Sequence, residues 1–597
     1  MHTSTAALAL GALANVATAF PRPAAIFARQ STTQASIPQN DPSPEERAAA
    51  VKTRAEGFVY GPSLIGEAAP FPNGTLGNAL HEADMDLWSL DREEIDTRSG
   101  KDIEAIQAAI TAAGGLNSME DYVTVLYDNQ WKESNARGTA PGIMTNYTQD
   151  LLFSMERLSQ NPYPVKLVAP GTELPFQVEQ ATEIAGASLE DLQASSSLFY
   201  VDHRYQDAYP KATLEPARYG ALCSAYFYIH PESKDFLPLA IKTNVGSDLI
   251  YTPLDEENDW LLAKMMFNVN DFFHAQMLHL VISHDVSEAV HQAALHTLSE
   301  NHPIMILLDR MMLQGYSARI VGEWLCFNPD GHWDQLMYVN NVGCRDYVTE
   351  VWSTEGRYQA GYLHTDLKSR GLINENGEYP FKNFPFFDDA NEIHSIYKNF
   401  FTSFVDSYYA SDADVAADQE VANWFEEGPK NAKVHDFPDV STLNKQTLID
   451  VLTHFGFIVS VSHHALNGGD PIGSKATLPF HLPALHAPVP EAKGVTDLMP
   501  FLPDAKQAVH YIGFIASFNR PFYETSGRTL QNAFSEDNML ARLNEETKQA
   551  SQTFLDGMQS LSQEVRSRGF DENGLSMGMP FIYRTLDPGY IPFFCAV

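Results

Sequence analysis

Residues 260–308 read WLLAKMMFNVNDFFHAQMLHLVISHDVSEAVHQAALHTLSENHPIMILL, and this stretch decides the fold. Its apolar side chains recur at three- and four-residue intervals, which is typical of a long buried helix. His274, His279 and His284 stand five residues apart within it. On a regular α-helix, side chains five residues apart point about 140° away from each other. Two such histidines would therefore not converge on one metal ion. A π-turn between them would bring them together, and such turns are frequent at functional sites.

Three histidines in register inside an apolar helix favour a metal site. The alternative for each histidine taken alone is a hydrogen-bonded core residue or a surface residue. The His-Glu-x-x-His pattern of zinc proteases is absent, because residues 279–284 read HLVISH. The missing general-base glutamate counts against an unrelated metallohydrolase.

A second group of polar residues lies about 180 residues further on, where residues 460–469 read SVSHHALNGG. His463 and Asn467 are four residues apart, so they share one face of a helix. Gly468 and Gly469 then end that helix. The His-x-x-x-Asn pattern alone is a weak signal and gains meaning only together with the first histidine segment.

Helical periodicity continues through most of the chain after residue 45, without an internal repeat. No block of short alternating strands indicates a separate β-sandwich. These patterns predict a mainly α fold with one large helical domain over residues 46–597. The clearest helical segments are residues 103–113, 259–294, 304–325, 393–409, 443–465 and 538–568.

The composition excludes several classes of protein. The 39 basic and 76 acidic residues give 39 − 76 = −37, which argues against binding to nucleic acids or to anionic membranes. With 44% hydrophobic residues the chain can bury a large core. Four cysteines in 597 residues are too few for a disulfide scaffold and lack zinc-ligand spacing, although one or two bridges remain open. No run of apolar residues after the N-terminus is long enough for a transmembrane helix.

The N-terminus resembles an export signal. Residues 6–19 read AALALGALANVATA and end in the small-x-small sequence that signal peptidase cleaves. We therefore expect residues 1–19 to be a signal peptide and the protein to be secreted; the alternative is an unstructured apolar N-terminus. Residues 20–45 are rich in Pro, Ser and Gln and predict a flexible leader or propeptide. The sequons at Asn73 and Asn146 predict glycosylation.

Taken together, these segments resemble the lipoxygenase family in both order and spacing. The resemblance covers residues 259–597 and implies a helical lipoxygenase-type catalytic domain. The chain is too short to hold the family's N-terminal β-barrel domain as well. The matching residues are Trp260, Ala263 and Lys264 of the Trp-x-x-Ala-Lys segment, His279 and His284, His302-Pro303-Ile304 with Leu307 and Leu308, and His463 with Asn467.

The resemblance implies a single metal ion held by His279, His284, His463, Asn467 and the α-carboxylate of Val597. Nitrogen and oxygen donors of this kind suit manganese or iron, and no thiolate favours zinc or copper(I). The chain resembles the fungal manganese lipoxygenases in three features: the expected export signal, a length too short for the β-barrel domain, and the terminal valine. This resemblance favours manganese and leaves iron as the alternative. We expect His274 to be a packing residue or to donate a hydrogen bond to a metal ligand, and His464 to point away from the metal.

The function that the resemblance implies is insertion of O2 into polyunsaturated fatty acids, such as linoleic and α-linolenic acid, to give hydroperoxides. A trivalent metal with bound hydroxide would take a hydrogen atom from the bis-allylic carbon. Two alternatives are an iron lipoxygenase with the same reaction and a non-catalytic secreted protein that binds lipid or metal. A monomer is the simplest oligomeric state.

Several residues are candidates for the substrate and oxygen pocket. Gly322 matches a position where lipoxygenases carry a small residue linked to product stereochemistry; the alternatives are a close helix contact or a helix irregularity. Trp333 is expected to line the pocket nearby. Arg520 or Arg528 is a candidate partner for the substrate carboxylate, and the alternative for each is an ordinary surface arginine.

Overall fold

The computed structural model describes residues 33–62, 68–243, 248–468 and 471–596. Most of these residues are helical, and the helices enclose one main hydrophobic core. The predicted mainly α fold is therefore confirmed. Residues 1–19, expected to form the signal peptide, and Val597, expected to bind the metal, lie outside the described residues.

The α-helices are numbered in chain order. They are α1 (Pro44–Gly57), α2 (Gly74–Ala113), α3 (Met119–Tyr127), α4 (Asp150–Met155), α5 (Ala181–Ala185), α6 (Leu189–Ala194), α7 (Glu257–His279), α8 (Val286–Thr297), α9 (Pro303–Met311), α10 (Gly315–Gly322), α11 (His332–Leu336), α12 (Asn341–Glu355), α13 (Leu363–Ser369), α14 (Pro385–Tyr408), α15 (Asp412–Ala416), α16 (Gln419–Lys430), α17 (Lys445–Phe457), α18 (His463–Leu466), α19 (Ala505–Ala516), α20 (Tyr523–Ser526), α21 (Asp537–Arg542) and α22 (Glu545–Ser567). Within the described ranges, π-helical segments lie at Leu280–Asp285, Glu323–Phe327, Ile458–Ser462 and Pro471–Lys475. Short 3-10 helices lie at Pro38–Asn40, Glu156–Leu158, Arg204–Ala208, Val440–Thr442, Met499–Phe501 and Leu530–Asn532.

In the part of the chain that the structure describes, the β-strands form two small antiparallel sheets. One pairs β1 (Val59–Gly61) with β2 (Phe71–Asn73), and the other has the order β3-β4-β5-β6-β7. The larger sheet is not predicted from the sequence, because its central strand is buried at all seven positions and so lacks an alternating pattern. Among the described residues neither sheet is a barrel. The strands of the larger sheet are β3 (Lys166–Leu167), β4 (Leu198–Asp202), β5 (Cys223–Ile229), β6 (Phe236–Thr243) and β7 (Ile250–Tyr251).

The centre of the fold is the rod formed by α7, the π segment Leu280–Asp285 and α8. Every residue of α7 from Asp259 to His279 is buried, so other elements surround this helix on all sides. The second polar segment, on the π segment Ile458–Ser462 and α18, packs directly against the rod. The α14 helix packs against both α17 and α22. The two segments singled out in the sequence therefore meet in the core.

The long helix α2 crosses the molecule and turns three buried aspartates towards its neighbours. A buried carboxylate needs strong hydrogen-bond donors, because burying it without a partner lowers the free energy of unfolding by about several kcal/mol. This is a large fraction of the stability of a typical protein. Each of the three has such a donor, and together these bonds fix α2 on the rest of the domain. The donors are the Tyr316 N–H for Asp84, the Arg528 guanidinium for Asp91 and the Ser134 N–H for Asp102.

The folded domain begins earlier than the sequence predicts. The Ala35 N–H donates to the Arg542 carbonyl at 2.8 Å, and Ile37 is only 4% exposed. Helix α1 then begins at Pro44, and its Arg47 pairs with Glu420 at 2.6 Å. The flexible leader therefore cannot extend to residue 45, because two apolar side chains in that polar stretch are packed into the domain.

All four cysteines are buried and free, so none of the disulfide bridges left open by the sequence is present. Within the described ranges, no helix combines the length and the apolarity that a membrane crossing requires.

Candidate metal centre

The π segment that the five-residue spacing predicts is present between the first two histidines. Helix α7 ends at His279, and the π turn Leu280–Asp285 carries His284. Because the wider turn takes up the extra residue, the two rings lie on the same side, with centroids 5.4 Å apart. A regular helix would have held them about 140° apart.

His463 reaches the same point from the second segment. It begins α18 immediately after another π segment, Ile458–Ser462. Its Nε2 lies 2.9 Å from the Nε2 of His284. One nitrogen from each of His279, His284 and His463 lies within 4.8 Å of the others, which is the spacing of ligands around one ion.

The three imidazoles are buried, at 0% to 3% exposure, and burial keeps them neutral. Burial lowers the pKa of His279 to about 3 and lowers the pKa values of His284 and His463 well below the usual range. A neutral imidazole has one nitrogen lone pair available, and this is the form that binds metals. Three such lone pairs in an apolar interior repel one another unless a proton or a cation lies between them.

Asn467 supplies a further oxygen donor beside the cluster. It follows α18, its backbone N–H donates to the His463 carbonyl at 2.8 Å, and its side chain is 3% exposed. In the described part of the chain, no group hydrogen-bonds its Oδ1 atom. An amide oxygen left unpaired in a protein interior costs about 1–3 kcal/mol, whereas a cation would satisfy it. Asn467 lines a small cavity of about 30 Å³ together with Gln276.

The fifth expected ligand, the carboxylate of Val597, lies outside the described residues. The chain that leads to it is buried: Phe593 and Phe594 are fully buried and Ala596 is 7% exposed. The Phe594 carbonyl hydrogen-bonds His464 Nε2 at 3.1 Å. The end of the described chain thus runs beside the histidine cluster.

These residues fit a redox metal of the manganese or iron type. The convergent neutral nitrogens and the unpaired Asn467 oxygen form a nitrogen and oxygen donor set, and no thiolate takes part. The fold and the donor set together define a non-haem metalloprotein with a fully buried centre.

His274, the first histidine of the series, does not join the cluster. Its Nδ1 lies 3.3 Å from Asn161 Nδ2, and burial lowers its pKa to about 3. It faces a cavity of about 460 Å³ that also touches Ile282 and Ile458 on the two histidine-bearing segments. The five-residue series therefore supplies two members of the cluster and one residue on the opposite side of the rod.

Gly322 ends α10, directly before the π segment Glu323–Phe327. A Cβ atom added there would meet no atom within 4 Å. The alternative of a close helix contact is thus excluded, whereas a helix irregularity does begin at the next residue. The role of Gly322 in an oxygen pocket stays a prediction.

Trp333 is 3% exposed and packs edge-on against Phe514, with ring centroids 5.4 Å apart. It lies on α11, which packs against the π segment after Gly322. Neither of the two cavities described above is lined by Gly322 or Trp333. Their place in a substrate pocket therefore stays a prediction.

Of the two candidate arginines, Arg520 is buried, whereas the side chain of Arg528 is partly exposed. Arg528 makes a two-point ion pair with Asp91, with both N–O distances at 2.8 Å. Its guanidinium therefore already has a carboxylate partner within the fold, and its role towards a substrate carboxylate stays a prediction. Arg520 is 4% exposed and donates to the backbone carbonyls of Ser517 and Asn519. Its role towards substrate stays a prediction.

A buried ion cluster that the sequence does not predict follows His284. Arg319 of α10 pairs with Asp285 at 2.7 Å and with Glu288 at 2.9 Å. Asp285 is the last residue of the π segment, so the pair fixes the end of the turn that carries His284. The sequence does contain one signal for this cluster: Asp285 and Glu288 are acidic residues in an otherwise apolar stretch. Buried acidic residues need a buried partner of opposite charge.

Comparison with known proteins agrees with this site. The family model described as Lipoxygenase matches residues 237–517. The manganese lipoxygenase of Colletotrichum gloeosporioides (strain Cg-14) is 42% identical over 100% of this chain and 98% of its own length. The manganese lipoxygenase of Pyricularia oryzae is 42% identical over 94% of this chain and 91% of its own length.

Solved structures show the same relationship. The manganese lipoxygenase of Gaeumannomyces graminis superimposes with a TM-score of 0.91 at 41% identity, covering 94% of this chain and 100% of that one. A coral 8R-lipoxygenase shares the fold with a TM-score of 0.78 at 21% identity, covering 95% and 83% of the two chains. The chain belongs to the lipoxygenase family. Within that family, the proteins of Colletotrichum, Fusarium and Pyricularia that are 42% to 44% identical over at least 92% of this chain are named as manganese lipoxygenases.

Proposed function

We propose that this protein is a manganese-dependent dioxygenase that inserts O2 into polyunsaturated fatty acids such as linoleic and α-linolenic acid, giving hydroperoxides. The observation that carries the proposal is the buried cluster of His279, His284 and His463, whose nitrogens lie within 4.8 Å of one another. The unpaired Asn467 oxygen and the manganese lipoxygenases named among the relatives support it.

The contribution of this chain is to hold a metal in a dry, apolar site. A manganese or iron ion bound there would supply the one-electron oxidation that removes a hydrogen atom from the bis-allylic carbon. Burial keeps the three imidazoles neutral and available as ligands. Asn467, and in this proposal the Val597 carboxylate, add oxygen donors. Exclusion of water protects the substrate radical until O2 adds to it.

The choice of manganese over iron rests on the relatives, because the donor set accepts either ion. Elemental analysis of protein purified without chelators tests the choice. About one manganese and little iron per chain is the expected result. One iron per chain would be consistent with the proposed reaction but would show that the metal is iron and not manganese. Absence of both would contradict the metal site.

Oxygen uptake tests the reaction itself. An oxygen electrode should record rapid consumption with linoleic acid, which has a bis-allylic carbon, and none with oleic acid, which lacks one. Equal rates with both acids would point to chemistry that does not need a bis-allylic hydrogen. Binding of both acids without uptake would favour the non-catalytic, lipid-binding alternative.

We also propose that the protein is secreted as a monomer and carries glycan at Asn73. The apolar residues 6–19 and the sequons support export. The Asn146 amide already donates to the Pro580 carbonyl at 2.7 Å, whereas the Asn73 amide makes only a long contact of 3.5 Å with Pro62. Mass spectrometry of protein from the culture medium should show cleavage near residue 19 and glycan at Asn73; light scattering gives the oligomeric state.

A further inference from the structure

We infer that His464 is a positioning residue that selects the metal-binding tautomer of His463 and joins that ring to the C-terminal segment. The inference rests on the proposed metal site and deepens it. His464 was expected to point away from the metal, and it does not belong to the three-histidine cluster. It is nevertheless 2% exposed and contacts both His463 and the chain that leads to Val597.

The hydrogen bonds of His464 determine where its proton lies. Its Nε2 is 3.1 Å from the Phe594 carbonyl oxygen, which can only accept. Nε2 must therefore carry a proton. The ring is 2% exposed, and its two contacts are a carbonyl oxygen and another imidazole nitrogen, so a neutral ring with just that one proton satisfies both. Its Nδ1 is then a bare acceptor.

The hydrogen bond between the two histidines also determines where the proton of His463 lies. Its Nδ1 lies 3.2 Å from the Nδ1 of His464, and this contact is a hydrogen bond only if His463 Nδ1 carries the proton. A neutral His463 then has a bare Nε2, which is the atom that lies 2.9 Å from His284 Nε2 inside the cluster. The chain of bonds from Phe594 through His464 thus presents the lone pair of His463 to the metal.

The local packing holds His464 in this position. A Cβ atom on Gly468 would lie 2.0 Å from His464 Nδ1, so only glycine fits beside the ring. Lys475 Nζ donates to the carbonyls of His464 at 2.5 Å and of Gly468 at 2.7 Å. Gly468 therefore does more than end a helix: it makes room for the ring that orients His463.

Three substitutions separate the two bonds of His464. His464→Asn places an amide oxygen where Nδ1 stood and keeps the acceptor for His463. His464→Gln places an amide nitrogen where Nε2 stood and keeps the donor to Phe594. His464→Leu removes both. The control is His454→Leu, which removes another buried neutral histidine from the same helical segment, outside the cluster.

The first readout is the affinity of the folded protein for Mn²⁺, measured by competition with a chelator, with folding checked by circular dichroism. We expect His464→Leu to lose about 10- to 100-fold in metal affinity. His464→Asn should stay within a few-fold of the parent, and so should His454→Leu. Equal metal retention in His464→Leu and the parent would overturn the inference. If His464→Asn and His464→Leu both fold and lose the same metal affinity, the claim that His464 selects the tautomer of His463 would be overturned.

The second readout does not depend on metal binding. Side-chain ¹⁵N spectra of histidine-labelled, metal-free protein report the tautomer of each neutral ring. One Nδ1-protonated signal, assigned by His463→Gln, should vanish or shift to the other tautomer in His464→Leu and persist in His464→Asn. An unchanged signal in His464→Leu would contradict the role of His464. Failure of the parent to bind manganese or iron would instead contradict the proposed function.

Discussion

The Nε2 atoms of His284 and His463 lie 2.9 Å apart, although 179 residues separate them in the chain. Both rings are buried and neutral, so only a proton or a cation can occupy the space between the two nitrogens. Each histidine lies within or directly after a π segment. Two local irregularities of helix geometry thus create one convergent site, and it is this convergence that argues for a metal.

The terminal carboxylate gives the first prediction. Extending the chain beyond Val597 with a short tag, or deleting Val597, should displace one oxygen donor from the metal. We expect bound metal well below one ion per chain and turnover at least about 100-fold lower, measured by elemental analysis and oxygen uptake. The same tag at the N-terminus is the control. Full metal content and full turnover in the extended protein would show that Val597 is not a ligand.

Gly322→Ala should change the ratio or handedness of the hydroperoxide products. The added methyl group meets no atom within 4 Å, so the variant should fold normally and alter only the free space. Chiral chromatography of the products from linoleic acid measures the effect. Gly100→Ala, at a second helical glycine with open space around it, is the matched control and should leave the products unchanged. An identical product profile in both variants would remove Gly322 from the oxygen pocket.

Asp84→Asn should change how stability depends on pH. Burial raises the pKa of Asp84 to about 7, while the Tyr316 N–H donates to its carboxylate. Because the folded-state pKa is raised, the folded protein binds an extra proton between about pH 4 and 7, and stability falls with rising pH in that window. The slope from this group is at most about 1.4 kcal/mol per pH unit. Asparagine can still accept the bond without titrating.

Chemical unfolding of the parent and of Asp84→Asn at several pH values measures this difference. We expect the stability of the variant relative to the parent to increase from pH 4 to 7 and then level off. A constant difference across the whole range would show that Asp84 does not titrate there.

Arg528→Met should destabilise the protein without a selective effect on substrate binding. Arg528 is committed to Asp91, so its loss leaves a buried carboxylate without its cation. We expect a loss of about 1–3 kcal/mol in the free energy of unfolding, with KM for linoleic acid within a few-fold of the parent. The double variant with Asp91→Asn should recover part of the loss. A large rise in KM at unchanged stability would return Arg528 to the substrate site.

The sequence predicts the features that local geometry controls. The five-residue spacing of His279 and His284 implies a π-turn, because the angular step of a helix is fixed. The pairing of His463 with Asn467 on one helical face follows from the same argument. The mainly α fold follows from periodicity that is strong over long segments.

The features that the sequence could not predict depend on long-range contacts or on uniform burial. Arg528 looks like a free cation until the fold brings Asp91, 437 residues away, against it. Strand β5 is buried on both faces, so its residues do not alternate. The tautomer-selecting contacts of His464 need the Phe594 carbonyl, which no local pattern places.

The most direct test of the central claim uses purified protein with an unmodified C-terminus and confirmed bound metal. Linoleic acid is added under air, and conjugated-diene absorbance is followed, with His463→Ala as the control. The account predicts a rapid rise in absorbance for the parent protein and none for the variant. A flat trace for the metal-bound parent protein would contradict dioxygenation of polyunsaturated fatty acids at this centre.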